Sequence, residues 1–414
     1  MSLSHINMTF MTLPYTSLKG RNEPWKYINI TQSDKSPDIM LSYSLRHYLS
    51  EIKNRINSLP NLDDWDTYKK FTNPYEFING NPSKHFVCNY KPLSRAYFKM
   101  LEIINSFGVI NVPRSKPIKM FGLAEGPGGF IEAVYNHRNN TADVYYGMTI
   151  ENPADDNVPG WKRTRNFLRN APNIFLERGA DQTGNMLSVE NFTHVVNAHK
   201  NSVDIVTADG GFDFSSDFNS QELSMHQLLF AQIAYAVCIQ KIGGSFVLKI
   251  FDCFYKATVD MIFLLTMFYD NVSIVKPCTS RLANSEKYIV CTNFRFNNSN
   301  VYFDYFAKAL EKCCQPNIFF TSVLQNIRPP LYFYSKLEEI NLIFGKSQIE
   351  NIFNTLSLID NKFKTDKIDF LIKSNKTKCS NWCIKNRVSY FIPETDNPFV
   401  RKIKDDNKDE SKYV

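Results

Sequence analysis

Ile118-Lys119-Met120-Phe121-Gly122-Leu123-Ala124-Glu125-Gly126-Pro127-Gly128-Gly129-Phe130-Ile131-Glu132-Ala133-Val134-Tyr135 is the segment around which the rest of the chain is organised. Its first part, 118–124, has the length and apolar content of a buried strand. An acid and a glycine-rich turn end it, and 130–135 continues with helical character. Glycine tolerates tight backbone conformations and lets a ligand approach closely. A strand, a glycine turn and a helix N-terminus together form the nucleotide-type crevice of an open α/β sheet. On these residues alone an ordinary strand-to-helix turn fits as well, and the segments that follow have to decide.

Strand-like runs recur at 143–150, 173–177, 203–212 and 243–251, with helix-like segments at 221–240 and 256–269. Alternating strands and helices predict a mainly parallel sheet covered on both faces. The last two runs, 272–276 and 287–291, are joined too closely for a crossover helix and must pair as an antiparallel hairpin. The expected fold is therefore α/β, a Rossmann-type, seven-stranded, mostly parallel sheet with an antiparallel last hairpin. Largely helical extensions flank it, so the chain divides into an N-terminal extension (1–68), the sheet domain (69–296) and a C-terminal accessory region with a charged tail (297–414).

In the first extension, 43–56 has the spacing of an amphipathic helix. Residues 65–80 place Lys69 and Lys70 among aromatics. They suit either a contact with phosphates and bases or a solvated loop. Residues 94–104 read as a helix with Phe98, Leu101 and Ile104 on one stripe, and Lys99 stands there between apolar neighbours. Beyond 296 the pattern turns irregular to 334, and short helices are expected at 337–344 and 349–358. The lysine-rich run 362–378 suits a solvated helix face better than an RNA contact, and 402–414 is too charged to fold alone.

A chain of 414 residues can bury a large core, and 43% hydrophobic with 21% charged residues describes a globular protein. A net charge of +7 permits a basic groove for nucleic acid without demanding one. The nine cysteines are odd in number and scattered, mostly in apolar runs, as reduced buried thiols would be. Cys313-Cys314 and Cys379/Cys383 fit no common zinc spacing. The N-terminus has no signal-type apolar core, and the longest apolar run is too short to span a bilayer. An intracellular protein with no membrane partner is expected. The Asn-, Lys-, Ile- and Phe-heavy composition suits an AT-rich coding sequence, as in a large DNA virus or a protist.

Charged residues sit at the expected ligand edge. Asp209 ends the fourth strand, Lys249 lies within the fifth among apolar neighbours, and Glu286 opens the last. A lysine in such a strand is costly unless paired, and Asp209 and Glu286 are the acids at hand. Structural ion pairing and catalysis both fit this pattern, and the location favours catalysis.

Seven ordered segments now resemble one family. They are Asn73-Pro74-Tyr75-Glu76, Ser94-Arg95-Ala96-Tyr97-Phe98-Lys99-Met100, Ala124-Glu125-Gly126-Pro127-Gly128-Gly129-Phe130, Tyr146-Gly147-Met148-Thr149, Thr207-Ala208-Asp209-Gly210-Gly211-Phe212, Gly243-Gly244-Ser245-Phe246-Val247-Leu248-Lys249-Ile250-Phe251 and Thr279-Ser280-Arg281-Leu282-Ala283-Asn284-Ser285-Glu286-Lys287-Tyr288. In order and spacing they resemble the FtsJ-like ribose 2′-O-methyltransferases, above all the eukaryotic and viral mRNA cap branch. The likeness covers about half the chain, 69–294.

The resemblance implies a catalytic tetrad Lys99, Asp209, Lys249 and Glu286, with S-adenosyl-L-methionine as cofactor, capped mRNA as substrate and no metal. A ribose hydroxyl is a poor nucleophile near neutral pH, and a lysine desolvated beside another cation loses its proton more easily. The donor methyl already sits on a cationic sulfur, so alignment supplies much of the rate.

The resemblance further implies that Glu125, Gly126, Pro127, Gly128, Gly129 and Phe130 carry the cofactor, together with Asp209. Ser94 falls near its amino-acid end, Asp181 at the adenosine, and Thr149 where many methyltransferases have a ribose-binding acid, with Glu151 just beyond. Lys69, Asn219 and Arg281 match RNA- or cap-facing positions. Lys69 replaces an expected arginine and Phe218 an expected acid. Other capping or transcription proteins are the expected partners. The expected location is nuclear in a cell, or host cytoplasm or virion for a virus. The alternatives are the same chemistry on ribosomal or transfer RNA, and a non-catalytic RNA-binding subunit of a capping or polyadenylation assembly.

Overall fold

The computed structural model describes residues 8–14, 19–80, 86–151, 160–211, 218–313 and 318–391. Phe212, Cys314 and the tail 402–414 lie outside them. The strands in chain order are β1 (Thr9–Thr12), β2 (Ile28–Ser33), β3 (Lys119–Leu123), β4 (Val144–Met148), β5 (Ile174–Glu177), β6 (Val203–Ala208), β7 (Gln240–Ile250), β8 (Tyr269–Lys276), β9 (Lys287–Phe294) and β10 (Phe319–Leu324). The helices are α1 (Tyr43–Asn57), α2 (Leu62–Thr72), α3 (Ala96–Phe107), α4 (Gly129–Arg138), α5 (Arg165–Asn170), α6 (Val189–His199), α7 (Gln221–Ile239), α8 (Lys256–Phe268), α9 (Phe303–Cys313), α10 (Leu331–Asp360) and α11 (Thr365–Asn386).

The main sheet has eight strands in the order β1-β8-β9-β7-β6-β3-β4-β5. Strands β3 to β7 run parallel. β9 is antiparallel to β7 and to β8, so the expected hairpin forms with β9 inserted between them. That insertion sets Tyr288 directly opposite Lys249. The seven expected strands are β3 to β9. The eighth, β1, is four residues long and pairs antiparallel with β8 at the edge. So short a strand carries no readable period. Chain order reverses on the two sides of β3, which puts the topological switch point, and with it the ligand crevice, between β3 and β6.

Both faces are covered, as near-continuous apolar strands require. One face packs under α6, α7, α8 and α9 with the first half of α10, the other under α3, α4 and α11. The extensions differ from expectation in three places. Residues 62–72 form α2, not a loop, started by Asn61, whose side chain accepts from the Asp63 amide. The stretch 297–334 holds α9 and β10, and β10 pairs with β2 to join the two extensions. The two short C-terminal helices are one helix, α10, of 30 residues. Gly345 lies at its middle, where a Cβ would sit 2.9 Å from Leu45 Cδ2, so this glycine allows α1 to approach. Among the described residues no helix is long and apolar enough to cross a membrane.

Candidate active site

The turn after β3 carries Glu125 into the crevice. Its carboxyl is 4% exposed, takes a hydrogen bond from Thr207 Oγ1 on β6, and leaves Oε2 buried without a partner among the described residues. Burial, reinforced by the nearby Asp209 charge, pushes its pKa up to about 8, so it is protonated at neutral pH. The glycines after it fit closely. Gly128 takes φ of +97° at the start of α4. A Cβ on Gly129 would run into Ser94 Oγ, and one on Gly126 would lie 2.6 Å from the Gly160 carbonyl. Ser94 is held there by its own segment, since Glu132 on α4 accepts from Tyr90 Oη at 2.6 Å and from the Leu93 amide at 2.8 Å.

The four charged residues of the tetrad meet as two pairs. Lys99 Nζ lies 2.6 Å from Glu286 Oε1, and Lys249 Nζ lies 3.3 Å from Asp209 Oδ1 and 2.7 Å from the Asp209 carbonyl. All four side chains are largely buried. Lys99 comes from α3, Asp209 from the end of β6, Lys249 from β7 and Glu286 from the entry to β9. Burial works against the Glu286 charge. The Lys99 and Lys249 ammonium groups outweigh it, with Lys276 behind them, and hold this carboxyl well below the usual range. Ser280 Oγ donates to the same Oε1 at 2.9 Å.

Three features of the site go beyond the sequence reading. Tyr288 Oη lies 2.9 Å from Asp209 Oδ1 and 3.2 Å from Glu286 Oε1, between the pairs. Lys276, also buried, donates to the carbonyls of Asn284 and Glu286 at 2.5 and 2.8 Å. Burial and the Lys287 charge lower its pKa to about 7. The segment after β4 also folds over the glycine turn. Trp161 packs against the positions of Gly128 and Gly147, and Thr164 Oγ1 donates to the Pro127 carbonyl at 2.7 Å. Trp161 is one of four tryptophans and follows Pro159-Gly160, which was the available signal.

Thr149 is buried at the end of β4, and its carbonyl is packed against Gly184. Glu151, the acid just beyond, pairs with Arg178 at 3.1 Å. Asp181 is exposed past β5, and its Oδ1 accepts from the Thr183 amide and hydroxyl and from Asn191 Nδ2, which lowers its pKa. Lys69 pairs with Asp66 one turn away on α2. Asn219 meets α1, donating to Asn54 Oδ1 at 3.0 Å and accepting from Arg46. Arg281 is forked onto Glu76 at 2.7 and 3.1 Å, and Arg95 joins the same carboxylate at 2.8 Å. Each of these three thus has a protein partner, and Arg281 also follows Ser280, whose hydroxyl bonds Glu286.

The first extension also reaches the crevice edge. Lys53 on α1 bonds Asp252 Oδ2, three residues past Lys249, and the Phe218 carbonyl, both at 3.3 Å. Among the described residues no three His, Cys, Asp or Glu side chains gather as a metal site would require. Cys379 and Cys383 are buried thiols on the packed face of α11.

Residues 92–294 match the model of a family described as FtsJ-like methyltransferase. A cap-specific mRNA (nucleoside-2′-O-)-methyltransferase 1 from Dictyostelium discoideum is 33% identical over 271 residues, covering 59% of this chain and 34% of that protein. A cap-specific mRNA (nucleoside-2′-O-)-methyltransferase 2 from Danio rerio is 30% identical over 342 residues, covering 76% of this chain and 43% of that protein. The chain thus spans less than half the length of either relative.

Proposed function

This chain belongs to the FtsJ-like methyltransferases through residues 92–294, and from that premise we propose that it moves a methyl group from S-adenosylmethionine to the ribose 2′-hydroxyl of a nucleotide next to an mRNA cap. The observation that carries this reading is the pair of buried lysine–carboxylate contacts, Lys99–Glu286 and Lys249–Asp209, at the carboxyl edge of the sheet beside the glycine turn. The relatives' names point to the same substrate.

The residues at the turn fit the donor. A buried, unpartnered Glu125 Oε2 costs roughly 1–3 kcal/mol unless a ligand bonds it. The backbone from Gly126 to Phe130 and Ser94 would hold the amino-acid end, and Thr149 and Asp181 would face the nucleoside. When bound, the donor supplies a methyl group on a cationic sulfur.

Lys249 donates to the Asp209 carbonyl and pairs with its carboxylate, which fixes the ammonium where it can also reach the ribose oxygen. As a free amine the same nitrogen takes the hydroxyl proton as the oxygen attacks. Lys99, fixed by Glu286, adds positive charge where the oxygen becomes anionic. Glu286 stays ionised throughout, because its pKa is held low. Arg281, Lys69 and Asn219 line the approach of the capped RNA. The protein works inside the cell, alongside other capping or transcription proteins, and the named relatives come from eukaryotes.

The test is transfer of labelled methyl to matched capped and uncapped transcripts, followed by nucleotide mapping. Label on a cap-adjacent ribose only in the capped RNA is expected. Equal labelling of both would favour a ribosomal or transfer RNA substrate, and no labelling with no donor binding would favour a non-catalytic subunit.

A further inference from the structure

We propose that Tyr288 is a positioning residue for methyl transfer: its hydroxyl holds the two lysine–carboxylate pairs at a fixed spacing and ties the charge state of one to the other. This rests on the functional reading above and deepens it.

Three contacts converge on this one side chain. Its Oη lies between Asp209 and Glu286, at 2.9 and 3.2 Å, and a phenol has one proton to give. The Lys99 ammonium stands 5.9 Å from the centre of its ring, and the ring packs on Phe130 at 5.6 Å, in the helix that starts at the glycine turn. The strand register sets Tyr288 directly opposite Lys249 on the same sheet face. The donor loop, both acids and both lysines therefore share one rigid neighbour. Tyr288 is fully buried, and burial beside two carboxylates keeps its hydroxyl a proton donor.

That single proton makes the coupling. A donor on Asp209 draws charge from the carboxylate that faces Lys249. With the hydroxyl removed, Asp209 presents a fuller negative charge and favours the ammonium form of Lys249, so the free amine needs higher pH. The other charged groups around this cluster are Lys99 from α3, Glu286 and Lys287 at the start of β9, Lys276 at the end of β8, Glu125 after β3, Asp252 past β7 and Glu222 on α7. None of these is altered by Tyr288→Phe, which keeps the ring and its packing.

The experiment measures kcat and KM of the full chain and of Tyr288→Phe on capped RNA from about pH 6 to about 9. Unfolding temperature and S-adenosylhomocysteine binding are measured in parallel. The expected result is a kcat about tenfold lower at neutral pH, with the acid limb of the kcat profile displaced upward by about one unit. KM values and product binding should stay within about twofold. An unshifted limb, or a pH-independent loss that tracks lost product binding, would overturn the proposal. If Tyr288→Phe does not fold, 3-fluorotyrosine at this position, a stronger donor, should move the limb downward, and an unmoved limb overturns it. NMR titration of the ¹³Cε-labelled tetrad lysines needs no RNA. The resonances should titrate at higher pH in Tyr288→Phe, and unchanged curves contradict the proposal. A wild-type chain that methylates no RNA would instead refute the functional reading, with the NMR outcome still deciding Tyr288.

Discussion

Lys99 Nζ and Glu286 Oε1 lie 2.6 Å apart, with side chains 13% and 11% exposed. Breaking such a buried pair leaves an uncompensated charge, so Glu286→Gln should cost about 3–5 kcal/mol near neutral pH. The folded-state pKa of Glu286 is depressed, so its stabilisation is present above the ordinary carboxyl value of about 4.3 and fades as pH falls below it. Urea unfolding at about pH 6 and pH 3 should show the gap between wild type and variant narrowing by about 1–2 kcal/mol. A gap that widens would mean the carboxyl is not held low.

Glu125 carries the opposite sign. Its folded pKa is raised to about 8, so its contribution is whole below the ordinary carboxyl value and is lost as pH climbs towards 8. Glu125→Gln keeps a neutral group there. Between about pH 6 and pH 9 the wild type should lose unfolding temperature and the variant much less. Parallel curves would show that the wild-type carboxyl ionises at its ordinary value.

Trp382 on α11 is fully buried and meets Phe98 edge-on at 5.6 Å, one residue from Lys99. Asn375 on the same helix donates to the Phe71 carbonyl at 2.7 Å, ahead of the Asn73–Glu76 segment. Trp382→Ala should lower stability by about 3–5 kcal/mol and reduce kcat through a displaced α3. Chemical unfolding and turnover measured together check this, and full activity in a destabilised variant would separate α11 from the tetrad.

Arg281 shares the Glu76 carboxylate with Arg95. If it also meets a substrate phosphate, Arg281→Ala should raise KM for capped RNA about tenfold with kcat little changed, and Arg281→Lys should recover only part, because the fork is lost. Unchanged KM with a lower unfolding temperature would assign Arg281 to the scaffold.

Much of the fold was legible because β3 to β9 announce themselves by apolar runs and short links, and Lys249 because a lysine in such a run needs a partner. The tetrad pairing was legible only in outline. Which acid meets which lysine depends on β9 entering between β7 and β8, and the bridging role of Tyr288 follows from the same insertion. No local pattern encodes that. β1 and β2 carry no readable signal, because each is short and pairs only with distant partners, and α10 reads as two helices because its apolar spacing lapses at Gly345-Lys346-Ser347-Gln348. The partners of Arg281, Lys69 and Asn219 come from Glu76, Asp66 and α1. A residue facing solvent and one facing a neighbouring helix look the same in sequence.

In the proposed reaction Lys249, steadied by Asp209, readies a ribose hydroxyl for methyl transfer. Single-turnover transfer from labelled donor to capped RNA by Lys249→Met, with donor binding measured on the same preparation, tests it most directly. Retained donor binding with transfer slowed by a factor on the order of a thousand is the predicted result. Transfer at the wild-type rate would rule out this role for Lys249.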